Sequence, residues 1–197
     1  MQNSKQIAIN AIEKKVNSVM AIFSNISNEI THISFTLNCG LLPEPEFRKK
    51  DGRYVAPMSA EIFKAVTDNV NPCVYYFEFN PEDRNKIISS YELFEEEQKN
   101  KVNNERRASP AKKIVYPTNT NILYVGKSKG RNIGRLIVHL GYYDKGSTGG
   151  LQLLFWAKEH NIELTYHAFY FPLEMRDFVD PIEVALARSL NPLLGKL

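Results

Sequence analysis

Asn121-Ile-Leu-Tyr-Val-Gly-Lys-Ser-Lys-Gly-Arg-Asn-Ile-Gly-Arg-Leu-Ile-Val-His139 is the stretch that decides how this chain is read. It opens as a short apolar run, breaks at Gly126, passes through a basic loop and re-emerges with helical spacing. A strand, a turn and a helix in so few residues bring Tyr124, Lys127, Arg135 and His139 near one another. Arg135 and His139 are four apart and share one helix face. Taken alone, the stretch also fits a basic helix after a buried strand, as any α/β domain can contain. Its charge is uneven against the rest of the chain. From 124 to 145, Lys127, Lys129, Arg131, Arg135 and Lys145 face Asp144 alone, whereas from 146 onward four bases meet six acids. A cationic centre in a chain of formal charge +3 points to an anionic ligand, with solvated lysines as the plainer alternative.

Upstream, Asn71-Pro-Cys-Val-Tyr-Tyr-Phe-Glu-Phe79 is aromatic and β-branched and reads as a core strand. Its alternation sets Cys73, Tyr75, Phe77 and Phe79 on one face and Val74, Tyr76 and Glu78 on the other. Residues 80–118 are charged and too long for an ordinary connection, so a helix over about 85–103 followed by a loop is expected. That helix is either an exposed charged element or an arm whose basic end, with Arg106 and Arg107, reaches a phosphate backbone. Downstream, the apolar run 151–157 suits a helix ending near His160-Asn161. Residues 162–171 alternate as a strand. Asp180-Pro-Ile-Glu183 starts a helix with Asp180 as N-cap, Pro181 at the first position and Glu183 at N3, and Asn191-Pro192 ends it.

Before residue 71 the signals are more scattered. Ile12, Val16, Val19, Met20 and Phe23 form an apolar stripe over 4–23, an amphipathic helix that packs on the chain itself or on a second copy. Ile33, Phe35 and Leu37 alternate as a short strand. Pro43 and Pro45 force irregularity, Asp51-Gly52 marks a turn between Phe47 and Val55, and Ser59 can cap a helix with Ile62, Phe63 and Val66 inward.

At 197 residues and 43% hydrophobic, the chain supports one domain, or one with an appended helical segment. Cys39 and Cys73 lack C-x-x-C spacing and suggest neither a zinc site nor a disulfide framework. The N-terminus carries no apolar signal run, so a cytoplasmic, membrane-free protein is expected.

Together, Cys73-Val-Tyr75, Tyr124-Val-Gly126, Lys127-Ser128, Arg135-Leu136, His139 and a late helix bearing Glu183 ahead of Asn191-Pro192 resemble the GIY-YIG nuclease family. The resemblance spans roughly 71–194 without the insert. Cysteine stands where the family has its first glycine. The two tyrosines are separated by 49 positions, 75 to 124, where the family joins its strands by a short turn. The resemblance implies an α+β fold with a small, mostly antiparallel central sheet flanked by helices. On this reading 1–70 is an N-terminal helical and irregular extension, and 71–197 is the nuclease core with its insert at 80–118. The activity implied is that of a metal-dependent DNA endonuclease. A restriction-endonuclease-like enzyme is expected; the alternatives are a structure-specific repair or recombination nickase and a binding protein that has lost catalysis. RNA stays open as a substrate, and a double-strand cut asks for a homodimer or two sequential nicks.

The resemblance also assigns roles. Glu183 would hold a single Mg²⁺ or Mn²⁺, although a capping box would place the same residue there for helix stability alone. Arg135 would grip the scissile phosphate with its fork. Tyr75 and Tyr124 would serve as general base, water positioner or phosphate donor, a base role requiring a cation beside a phenol of pKa about 10. Lys127 is either a base, if its pKa is depressed, or a phosphate holder. His139 binds phosphate, supports Tyr75 or is structural. Lys129 and Arg131 would contact the nucleic-acid backbone, and the charge of the insert alone, outside the resemblance, suggests the same for Arg106 and Arg107.

Overall fold

The computed structural model describes residues 4–44, 46–48, 53–55, 69–101, 109–110, 115–142 and 149–195. Arg106, Arg107, the Asp51-Gly52 turn and the helix expected after Ser59 lie outside these residues. Among the described residues the helices are α1 (Ser4–Ser24), α2 (Ile26–Glu29), α3 (Arg84–Asn100), α4 (Asn132–Leu140) and α5 (Val179–Leu190). The strands are β1 (Thr31–Asn38), β2 (Glu46–Arg48), β3 (Arg53–Val55), β4 (Cys73–Phe79), β5 (Ile122–Ser128) and β6 (Glu163–Tyr170). This is the expected α+β fold.

Four strands form one antiparallel sheet in the order β1-β6-β4-β5, and β2 pairs with β3 as a separate two-stranded ribbon. β4 and β5 are direct neighbours despite the long insert between Phe79 and Ile122, because an insertion at a hairpin tip costs little extra closure entropy. The first helix of that insert, α3, returns its Ile87, Tyr91 and Phe94 to the core. β1 comes from the segment read as an extension, yet it is hydrogen-bonded along its whole length to β6.

Period-two alternation divides the core into two layers. Tyr75, Phe77, Leu164, Tyr166, Ala168 and Tyr170 meet α3 and α4 on one face. On the other face, Val74 packs with Val179, Phe171 and Met175, and Ile122 and Val125 pack with Ala187 of α5. A bulge in the β4–β5 ladder lies between Phe77 and Glu78, opposite Leu123. It lets the consecutive residues Leu123 and Tyr124 both join the main core, while Ile122 and Val125 join the layer beneath α5. Beyond β5, the backbone N–H groups of Leu193 and Leu194 donate to the carbonyls of Ile122 and Leu123, covering part of that edge.

Three expectations require correction. The run 151–157 forms only a 3-10 turn, Leu153–Phe155, because Gln152 enters the left-handed region (φ 60°) and the Leu151 N–H is turned to His139 on α4. α5 begins at Val179, with Phe178 as N-cap and no side-chain cap, so Asp180 is not the N-cap and Pro181 lies at the third helical position. Pro is tolerated there because the first-turn N–H groups lack intrahelical partners in any case. Of the α1 stripe, only Val19 is buried; Ile12, Val16, Met20 and Phe23 stay exposed, and α1 meets the body through Val19 and Ile22. The expected end of α5 does hold, with Asn191 in the left-handed conformation ahead of Pro192. Cys39 and Cys73 are both buried and free. No described helix is long and apolar enough to cross a membrane.

Candidate active site

Tyr75 on β4 lies opposite Gly126 on β5, two pairs along from Phe77 opposite Tyr124. The register explains why a glycine follows Tyr124 by two. A Cβ built on Gly126 would stand 2.6 Å from the Tyr75 phenol oxygen and 2.8 Å from the Tyr124 ring. Gly126 is therefore the gap into which both rings fit, a close approach that only glycine allows.

α4 then lays Arg135 and His139 over these rings, as their four-residue spacing requires. The Nε–H of Arg135 donates to the Tyr75 oxygen at 3.4 Å, and His139 Nε2 lies 2.8 Å from the same oxygen. The His139 ring centroid is 5.5 Å from that of Tyr75 and 4.8 Å from that of Tyr124. Gly141, at φ 99°, ends the helix just beyond His139.

The electrostatics follow from burial. Tyr75 is fully buried, which drives its phenol well above the ordinary range, and Arg135 offsets only part of this. Tyr124 moves the same way, by burial first, with Arg135 and Lys127 lowering it and Glu183 raising it. Burial pulls Arg135 down, but the two phenols outweigh it and the guanidinium stays charged. His139 is held well below its ordinary value by burial and by Arg135, and is neutral.

Lys127 falls on the opposite face of β5 from Tyr124, paired with Val74 in the ladder. There it meets α5. Its ammonium donates to Glu183 Oε2 and lies 3.1 Å from Asp180 Oδ1, while Lys129 lies 2.6 Å from Asp180 Oδ2. Desolvation lowers Lys127, yet the bonds to Glu183 and Asp180 more than reverse it, so its pKa is raised. A base role needed the opposite shift, so the resting Lys127 is a charged donor. Asp180 is held below the usual carboxylate range by hydrogen bonds from Lys129 and Lys127. This demand explains why Asp180 does not cap its helix, and why Glu183 does not turn back in a capping box.

The arrangement has two halves either side of the edge strand. Tyr75, Tyr124, Arg135 and His139 converge on the α4 side, and Lys127 and Glu183 meet on the α5 side, with Glu183 still close enough to act on the Tyr124 phenol. Lys129 is spent on Asp180, and Arg131 is exposed at the start of α4. Sequence reasoning missed three contributors. Asp180 was legible only as a cap, although it lies three before Glu183 and so shares its face. Tyr166 packs against Tyr75 at 5.7 Å between centroids, and its phenol accepts from the buried Asn132 amide. The backbone N–H of Leu151 reaches His139 Nδ1 at 3.2 Å and leaves no signal in residue types.

Among the described residues, no group of three or more His, Cys, Asp or Glu side chains gathers to hold a metal. Asp180 and Glu183 nevertheless already bracket one cationic group, the Lys127 ammonium, and a hard divalent cation needs few protein oxygens beyond its waters. The donor set thus fits a cation at Glu183 once Lys127 moves aside. No protein-family model, curated protein or solved structure matches the chain.

Proposed function

We propose that this chain is a metal-dependent DNA endonuclease with one GIY-YIG-type site, of the restriction-endonuclease-like kind. The observation that carries the reading is the shared contact at Tyr75: a guanidinium and an imidazole both reach one buried phenol oxygen, beside a second tyrosine on the paired strand. A purely structural core has little reason to draw an arginine against two phenols.

In this reading Arg135, hydrogen-bonded to both phenols, turns its remaining N–H groups to the phosphate oxygens. Tyr75 and Tyr124 orient the attacking water and donate to the phosphate. Lys127 adds positive charge at the rim, Arg131 contacts the backbone without reading sequence, and Lys129 does so only by leaving Asp180. Held by Glu183 and water, Mg²⁺ or Mn²⁺ would supply charge neutralisation and leaving-group help. The Lys127–Glu183 pair favours one competing reading, a nucleic-acid-binding protein in which the carboxylate serves only as an internal counter-ion.

Supercoiled plasmid and genomic DNA incubated with Mg²⁺ separate the two. Discrete fragments from the wild type, lost with Glu183→Ala and with Arg135→Ala, are expected. Equal DNA binding by all three proteins with no cutting would decide for the binding protein, and nicking confined to branched substrates for the structure-specific enzyme.

A further inference from the structure

Both ring nitrogens of the fully buried His139 have partners, and these fix where its proton lies. The Leu151 backbone N–H faces Nδ1 at 3.2 Å. An amide N–H can only donate, so Nδ1 must supply a lone pair. The ring is neutral, held so by burial and by the nearby Arg135 charge, and carries one proton. That proton is therefore on Nε2, 2.8 Å from the Tyr75 oxygen. Arg135 Nε–H, also a pure donor, points at the same oxygen.

We infer that the Gly150-Leu151 corner is a positioning element: it fixes His139 as the Nε2–H tautomer, so that the Tyr75 oxygen accepts two hydrogen bonds and its own O–H is turned toward a third group.

The corner is built for this. A Cβ on Gly150 would collide with the carbonyl oxygen of Val138 and come within 2.7 Å of the Val138 side chain, so only glycine lets this backbone lie against α4. One residue on, Leu151 is pinned from its other side, where the buried Trp156 indole N–H donates to the Leu151 carbonyl at 2.6 Å. Trp156, Leu151, His139 and Tyr75 thus form one directed chain of hydrogen bonds running toward the phenol. His139 cannot take the Tyr75 proton, because Nε2 already holds one and Nδ1 faces a donor. It acts by orienting Tyr75 and by stabilising negative charge on the phenol oxygen. This consequence for Tyr75 rests on the nuclease reading; the tautomer does not.

Long-range ¹H–¹⁵N correlations of the histidine rings in the full-length ¹⁵N-labelled protein test it directly, with His139→Gln assigning the signals. The expected pattern is a protonated Nε2 and a bare Nδ1, with no titration from about pH 5 to pH 8. A protonated Nδ1, or a ring that charges in that window, overturns the inference. Gly150→Ala should produce a mixture of tautomers; an unchanged spectrum would show that the corner is not what fixes the ring. If Gly150→Ala fails to fold, Trp156→Phe removes the indole donor to Leu151 together with one buried ring, and should give the same mixture of tautomers in a protein that still folds; an unchanged spectrum there would equally overturn the role of the corner. In plasmid cleavage, His139→Gln retains an N–H for Tyr75 and should cut at least about tenfold faster than His139→Leu, the worth of one hydrogen bond of about 1.4 kcal/mol. Equal rates would overturn the positioning role. A wild type with the expected tautomer but no cleavage sinks the nuclease reading and leaves the tautomer standing.

Discussion

Gly126→Ala is the substitution that most directly tests the packing of the two tyrosines. The added methyl carbon would stand 2.6 Å from Cζ and Oη of Tyr75 and 2.8 Å from Tyr124. Comfortable carbon contacts need about 3.5–4.0 Å, so at least one ring must move by about 1 Å. Tyr75 has little room to do so, with Phe77, His139 and Tyr166 around it at centroid distances of 6.3, 5.5 and 5.7 Å. Overpacking of this kind costs about 1–3 kcal/mol, which for a chain of this size lowers Tm by about 2–12 °C. A shift of about 1 Å also breaks the 2.8 Å contact between Tyr75 and His139. Misplacement on that scale costs a catalytic constellation about a hundredfold in rate. Gly134→Ala is the matched control, since a Cβ there meets nothing within 4 Å inside α4. It should raise stability by up to about 1 kcal/mol through helix propensity alone. Both variants would be followed by thermal denaturation and by plasmid cleavage below either transition. Wild-type stability and wild-type cutting in Gly126→Ala would refute the packing argument.

Other substitutions probe the charges. Arg135→Lys keeps the charge but loses the fork, so cleavage should fall by about 10²-fold or more with an unchanged circular dichroism spectrum; full activity would remove Arg135 from the site. Lys127→Met releases Glu183 from its internal cation while Lys129 still holds Asp180, and should tighten Mg²⁺ binding measured by titration calorimetry while slowing cleavage. Weaker binding would mean that Lys127 organises the carboxylates instead of competing for them. His139 stays neutral in the fold although the unfolded ring binds a proton near pH 6.5, so below that pH the unfolded state takes up more protons. Its depressed value therefore withdraws stability as pH falls, by up to about 1.4 kcal/mol per pH unit. Urea unfolding should show the wild type's advantage over His139→Gln shrinking between about pH 6.5 and pH 5. An advantage that grows on acidification would mean that the ring is charged in the fold.

Local patterns were legible where the two-residue period and the packing agree. β6 alternates cleanly, and β4 from Tyr75 onward, because one face of these inner strands is fully buried under α3 and α4 while the other is only partly covered, and the same periodicity put Tyr75 and Tyr166 in the core. The spacing of Arg135 and His139 held for a similar reason, since four residues on a helix have only one geometry. What could not be read depends on partners far away in the chain. Leu151 looks like the start of a helix, but its N–H goes back to His139 on α4. Asp180 has every mark of a cap until Lys127 and Lys129, far earlier in the chain, claim its oxygens. The bulge opposite Leu123 is silent in residue types, yet it is what gives Tyr124 its direction.

Lys127 seated between Asp180 and Glu183 means that α5 is tied to β5 by an organic cation built into the sequence. Chelating buffers should therefore leave the docking of that helix untouched, and the protein would rest in an assembled, uncommitted form. If the nuclease reading holds, Lys127 must leave Glu183 before that carboxylate could hold a divalent cation, so the strength of this internal pair would set a threshold tunable at one position without touching the hydrophobic layers.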